Sequence, residues 1–166
     1  MNSKHRVQHP KSTLVIGYGN ELRGDDAAGP LVARAVAEWD VPGTLALVVH
    51  QLTPELAENV ASADIAIFVD ARRCTNQEGV QTRMIEPATV DTAIGHTGDP
   101  RALLVLARSI YGRCPPAWSI TVPAPRFDFG ARLSPVAERG VAAALQQIRD
   151  LIQPRMHEGI HLGAKM

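Results

Sequence analysis

The sequence predicts an α/β protein: a three-layer αβα sandwich around a mostly parallel sheet, in a single domain. Two observations lead there. Short runs dominated by Val, Ile and Leu recur at Thr13–Ile16, Leu45–Val49, Ile65–Val69 and Ser119–Val122, and such runs suit strands covered on both faces. Helical patterns separate them, and alternation of strand and helix builds a parallel sheet between helix layers. A third observation adds one antiparallel strand. The turn-like Asn76-Gln77-Glu78-Gly79 leads into Val80–Ile85, which is expected to form a hairpin with the strand ending at Asp70.

Taken in order, the first strand opens into Gly17-Tyr18-Gly19-Asn20-Glu21-Leu22-Arg23-Gly24-Asp25-Asp26. The helix that follows carries Leu31, Val32, Ala35 and Val36. Pro30 must sit in its first turn, because proline lacks the amide that later turns require, so the helix begins near Asp26 or a little after it. Later helices announce their starts by a capping residue before proline: Thr53-Pro54, Asp99-Pro100 and Ser134-Pro135. From the last of these, Ala137, Val141, Leu145, Ile148 and Ile152 recur at helical spacing until Pro154 ends the run. The domain is therefore expected to span 13–152. The tails, 1–12 and 153–166, are polar or glycine-containing and are expected to be mobile.

Composition excludes several functions. Apolar residues make up 45% of the 166 and charged residues 20%, an ordinary globular balance. Seventeen basic residues offset seventeen acidic ones, which leaves no electrostatic footprint for nucleic acid or an anionic membrane. No apolar run approaches the roughly 18 residues that span a bilayer, and Met1 to Lys11 contain no signal-peptide core. The expected location is cytoplasmic, where Cys74 and Cys114 stay reduced. Neither has a neighbouring histidine to make it a nucleophile, so each is read as a structural or incidental thiol.

The glycine loop is not a dinucleotide fingerprint. Gly17 and Gly19 fit the first two glycines of G-x-G-x-x-G, but the third position is Leu22. The second strand ends in His50-Gln51 rather than in an acid that would hold a ribose. The loop instead finishes in two carboxylates, which repel phosphate and favour a cation.

Ligands of open α/β sheets bind at the carboxyl ends of the strands. On that edge the sequence places Asp25 and Asp26, then Asp70 after Ile65–Val69, and His96 just before the helix capped by Asp99. Two carboxylates and an imidazole suit nickel, iron, zinc or manganese without choosing among them. His50 is a lower-ranked fourth candidate. Each residue also has a plainer role: Asp25 or Asp26 as a helix cap, Asp70 as a partner of the next loop, His96 as a surface residue. A second motif, His157-Glu158-Gly159-Ile160-His161, matches the H-E-x-x-H of zinc peptidases. It is rejected as an active site, because glycine interrupts it and the segment is too short to hold a helix.

Taken together, these residues resemble the nickel–iron hydrogenase maturation endopeptidases. The match runs through Leu14–Asn20, Leu22, Asp25-Asp26, Gly29, Gln51–Leu56, Phe68-Val69-Asp70, His96, Asp99-Pro100, Phe129-Gly130 and Leu133-Ser134-Pro135. It covers about residues 13 to 152. The resemblance implies an endopeptidase that removes the carboxyl-terminal extension of a hydrogenase large-subunit precursor after nickel insertion. It implies Asp26, Asp70 and His96 as the metal contacts. The chemistry of such a site leaves two routes open: the metal polarises the carbonyl or activates a water, or a free Asp26 or Asp70 acts as general base. Gly17, Gly19 and Asn20 would shape the loop that presents Asp26. The nickel would arrive with the substrate and would not be a resident cofactor. The chain departs from the family pattern at Ala27, where many members have glycine, and at Thr97, where many have a second histidine. Other classes left open are a non-catalytic escort for the precursor and a nucleotide- or small-molecule-binding module.

Overall fold

Leu14, Val15 and Ile16 are all essentially inaccessible to solvent. A strand whose consecutive residues are all buried must be covered on both faces. The computed structural model, which describes residues 12–74, 79–89, 98–130 and 132–152, builds the whole molecule on that principle. In chain order the elements are β1 (Thr13–Tyr18), α1 (Ala28–Glu38), β2 (Thr44–Val49), α2 (Ala57–Ser62), β3 (Ile65–Arg73), β4 (Gln81–Ile85), α3 (Pro100–Tyr111), β5 (Ala117–Ala124) and α4 (Pro135–Ile152). The five strands form one sheet in the order β2-β1-β3-β5-β4. The first four in that order are parallel and β4 is antiparallel.

Side-chain alternation divides the core into two layers. Leu14, Ile16, Ala66 and Phe68 face α2 and α3, together with Val60, Leu103 and Leu104. Val15, Ile67, Val69, Ile120 and Val122 face α1 and α4, together with Val32, Val36, Ala144 and Ile148. This is the αβα sandwich expected from the sequence, in a single domain. No helix among the described residues is long and apolar enough to cross a membrane.

The antiparallel strand exists but pairs differently from the expectation. β4 lies against β5, with Met84 opposite Trp118, and not against β3. The reason is that β3 has no free edge, being held between β1 and β5 along most of its length. The proline-marked helix starts fall where the sequence put them. Asp99 Oδ1 accepts from the Arg101 amide at 2.8 Å and so caps α3. Ser134 Oγ accepts from the Ala137 amide at 3.2 Å and caps α4. Thr53 precedes a 3₁₀ turn, Pro54–Leu56, and makes no side-chain cap. The two tails lie outside the described residues.

Candidate active site

The site begins where β1 runs into α1. A Cβ on Gly17 would overlap the Gly29 carbonyl, and one on Gly29 would lie 2.5 Å from the carbonyl oxygens of Tyr18 and Val69. Strand and helix therefore touch backbone to backbone, which only glycine at both positions permits. Gly19 has φ +146°, and a Cβ there would overlap the Asp26 carbonyl. Asp26 thus packs directly against Gly19, where any side chain would stand.

Between Gly19 and α1 the loop is self-supporting. Asn20 Oδ1 accepts from the Leu22 amide at 3.0 Å, and the Asn20 amide donates to Asp26 Oδ2 at 2.9 Å. A 3₁₀ turn, Gly24–Ala27, then leads directly into α1, so the acidic pair lies just before the α-helix. Neither aspartate caps it, contrary to the plainer expectation, since no side-chain cap is made at either helical start.

The two acids face different surroundings. Asp25 is fully buried. Its Oδ2 accepts from the Arg126 amide at 2.8 Å and from Ser134 Oγ at 2.8 Å, while Oδ1 accepts from the Ser134 amide at 2.6 Å. Its own amide donates to the Arg126 carbonyl at 2.9 Å. Three donors satisfy a carboxylate that would otherwise be costly to bury. Asp25 is thus a clamp between the loop after β1 and the start of α4. Asp26 is only partly buried and belongs to the carboxyl edge of the sheet.

Asp70 lies on the same edge, although β3 does not stop there as the sequence suggested. The strand continues to Arg73, because β5 pairs with it as far as Ala124. The Ala71 amide donates to Asp70 Oδ1 at 2.8 Å, and the Tyr18 hydroxyl donates to the same carboxylate. Burial raises the Asp70 pKa and the negative charge of Asp26 raises it further. The Ala71 and Tyr18 hydrogen bonds pull it part of the way back, leaving it at about 6. Burial also pushes the Tyr18 hydroxyl far above its usual range, with further contributions from the charges of Asp70 and, more weakly, Asp99.

Asp26 and Asp70 come within electrostatic reach of each other, on separate elements. His96, the predicted third member, lies outside the described residues, as do Thr97, His157 and His161. Among the described residues no group of three or more His, Cys, Asp or Glu side chains could hold a metal. His50 is exposed just beyond β2. Cys74 and Cys114 are both free and partly buried. Sequence reasoning missed Tyr18 and the Asp25–Ser134 clamp. Tyr18 was within reach, because it follows Leu14 and Ile16 on one face of β1 as Asp70 follows Ala66 and Phe68 on β3.

Solved structures carry this architecture. Hydrogenase maturation protease HybD from Thermococcus kodakarensis superposes with TM-score 0.67 at 22% identity, over 85% of this chain and 99% of its own. The chain has the fold of the nickel–iron hydrogenase maturation proteases. Hydrogenase maturating endopeptidase HybD from E. coli shares that fold at TM-score 0.66 and 18% identity, over 86% of this chain and 93% of its own. The hydrogenase 2 maturation peptidase of a Thaumarchaeota archaeon does so at 0.65 and 24%, over 86% and 99%. No family profile and no curated protein matches the sequence.

Proposed function

We propose that this chain is an endopeptidase that removes the carboxyl-terminal extension of a nickel–iron hydrogenase large-subunit precursor once nickel has been inserted. The observation that carries the reading is the convergence of Asp26 and Asp70 at the carboxyl edge of a maturation-protease fold. The negative charge of Asp26 raises the proton affinity of Asp70, and a cation placed between the two carboxylates relieves that repulsion. Nickel held by the precursor, with coordination positions still open, is such a cation. Asp26 and Asp70 contact it, with His96 as the third contact, so cleavage is licensed only where the metal is present. The metal is substrate and leaves with the product.

Two routes to cleavage suit these groups. The metal can polarise the scissile carbonyl or activate a water. Alternatively, the carboxylate not engaged by metal takes a proton from water as general base. In both, Tyr18 holds Asp70 through its hydroxyl, and Asn20 holds Asp26 through its backbone amide.

Intact-mass analysis of the large-subunit precursor, with and without nickel, tests the reading. Loss of a carboxyl-terminal peptide from the nickel form alone is the expected result, and Asp70→Asn is expected to abolish it while leaving the fold intact. Cleavage of the nickel-free precursor at equal rate would remove metal recognition. Stable binding without cleavage would make the chain an escort. Full activity in Asp70→Asn would exclude Asp70 from the mechanism.

A further inference from the structure

Beside the acidic pair the surface changes character. Leu22 is 67% exposed and Phe129 83% exposed, the two most solvent-accessible large apolar side chains among the described residues. They are neighbours through the backbone. The Gly130 amide donates to the Leu22 carbonyl at 3.1 Å, and the Gly24 amide donates to the Gly130 carbonyl at 2.9 Å. Around them stand arginines. The Arg23 guanidinium lies 5.8 Å from the Phe129 ring centre, and that of Arg73 lies 4.3 Å from the centre of Phe127. Arg126 is exposed on the same loop, and its backbone is fastened to Asp25.

Among the described residues none of these three arginines makes a salt bridge, whereas nearby Glu21 is already paired with Arg34 at 2.8 Å. Asp128 is the one acid within the loop from 125 to 130. The patch is therefore apolar at its centre and carries excess positive charge at its rim. That composition matches a binding surface with an aromatic anchor and arginine surround. Its charge calls for an acidic partner segment. Leu22 and Arg23 stand in the same loop as Asp26, so the patch adjoins the place where a chain leaves a metal held at Asp26 and Asp70.

We infer that Leu22, Phe127 and Phe129, ringed by Arg23, Arg73 and Arg126, form the docking surface for the carboxyl-terminal extension of the precursor, and that the extension offers an apolar side chain flanked by carboxylates. The inference rests on the function proposed above and deepens it. It assigns recognition of the segment to be removed to a surface distinct from the metal contacts.

The test compares nickel-loaded precursor with the same precursor already lacking its extension, against wild type, Phe129→Ser, Leu22→Ser and Arg126→Glu. Every hydrogen bond described for Leu22 and Arg126 is made by the backbone, and Phe129 is almost fully exposed, so these variants are expected to fold. Ile110→Ser, with a side chain 63% exposed near the carboxyl end of α3, serves as the control. Each patch variant is expected to raise KM for the precursor about tenfold, with kcat within about twofold. Added salt should raise the wild-type KM and affect Arg126→Glu least. Affinity for the extension-free form should be the same in all variants. Unchanged KM in the patch variants, with active wild type, would overturn the inference and leave the proposed function standing. Equal weakening towards precursor and extension-free form would also overturn it, by placing the folded body on the patch. A wild type that neither binds nor cleaves the precursor would remove both.

Discussion

At neutral pH Asp70 is a charge held in a half-buried strand beside a second carboxylate, and the fold bears a cost for it. Its folded pKa of about 6 lies above the usual carboxylate value. A raised pKa means that the protonated form favours folding: the gain is complete below about pH 4 and is lost as pH rises through 6. Asp70→Asn is accordingly expected to be more stable than wild type at pH 7.5, by about 1–3 kcal/mol. The difference should shrink towards pH 4 in paired thermal melts. A difference independent of pH would exclude burial of charge as its cause. Replacing Asp25 is expected to lower stability instead. Asp25→Ala leaves two backbone amides and a hydroxyl without their acceptor, and about 3 kcal/mol of stability is expected to go with it. Ser134→Ala, which removes one of those bonds and the cap on α4, should cost about 1–2 kcal/mol in urea unfolding. The double variant should cost less than the sum, because both act on one network. Spacing marked Asp25 and Asp26 as a pair without distinguishing them, and only the family resemblance singled out Asp26. Which acid turns inward depends on partners more than a hundred residues away, and spacing carries no trace of them.

Elements were more legible than their neighbours. Asp99-Pro100 and Ser134-Pro135 located two helices because a cap and a proline act within one turn. The continuous apolar runs gave the parallel strands for an equally local reason. The pairing of β4 was not local, since it depended on which edge of the sheet remained open after β5 had docked on β3. The packing of α4 on the sheet was equally hidden. A Cβ on Gly140 would stand 2.6 Å from Val122 Cγ1 and 3.1 Å from Pro123 Cδ. Gly140→Ala should therefore destabilise the protein by about 1–2 kcal/mol through overpacking, despite the better helix propensity of alanine. Val122→Ala removes the clashing methyl, so in that background the same substitution should cost little or become favourable. Additive losses in chemical denaturation would refute this contact as the cause.

Among the described residues the core of the whole molecule runs to Ile152, the last residue of α4 and a member of the layer formed with α1. A chain terminated after Gln153 is thus expected to melt within a few degrees of the full-length protein and to process precursor at the same rate. Loss of processing would reinstate His157 and His161. The fold class was readable because alternation of strand and helix is a property of the entire chain. The docking loops were not, because their side chains follow no period and become a surface only once 22–24 and 126–130 lie side by side. The Asp25 clamp bears on the order in which the protein is made. Its partner Ser134 lies 109 positions further along, and closing so large a loop waits on the sheet that brings the ends together. A nascent chain can complete β1, β2 and β3 while the acidic loop still lacks its anchor. Asp26 can be held early by the Asn20 amide inside its own loop, but its neighbour Asp25 is anchored only when the last helix has emerged and docked.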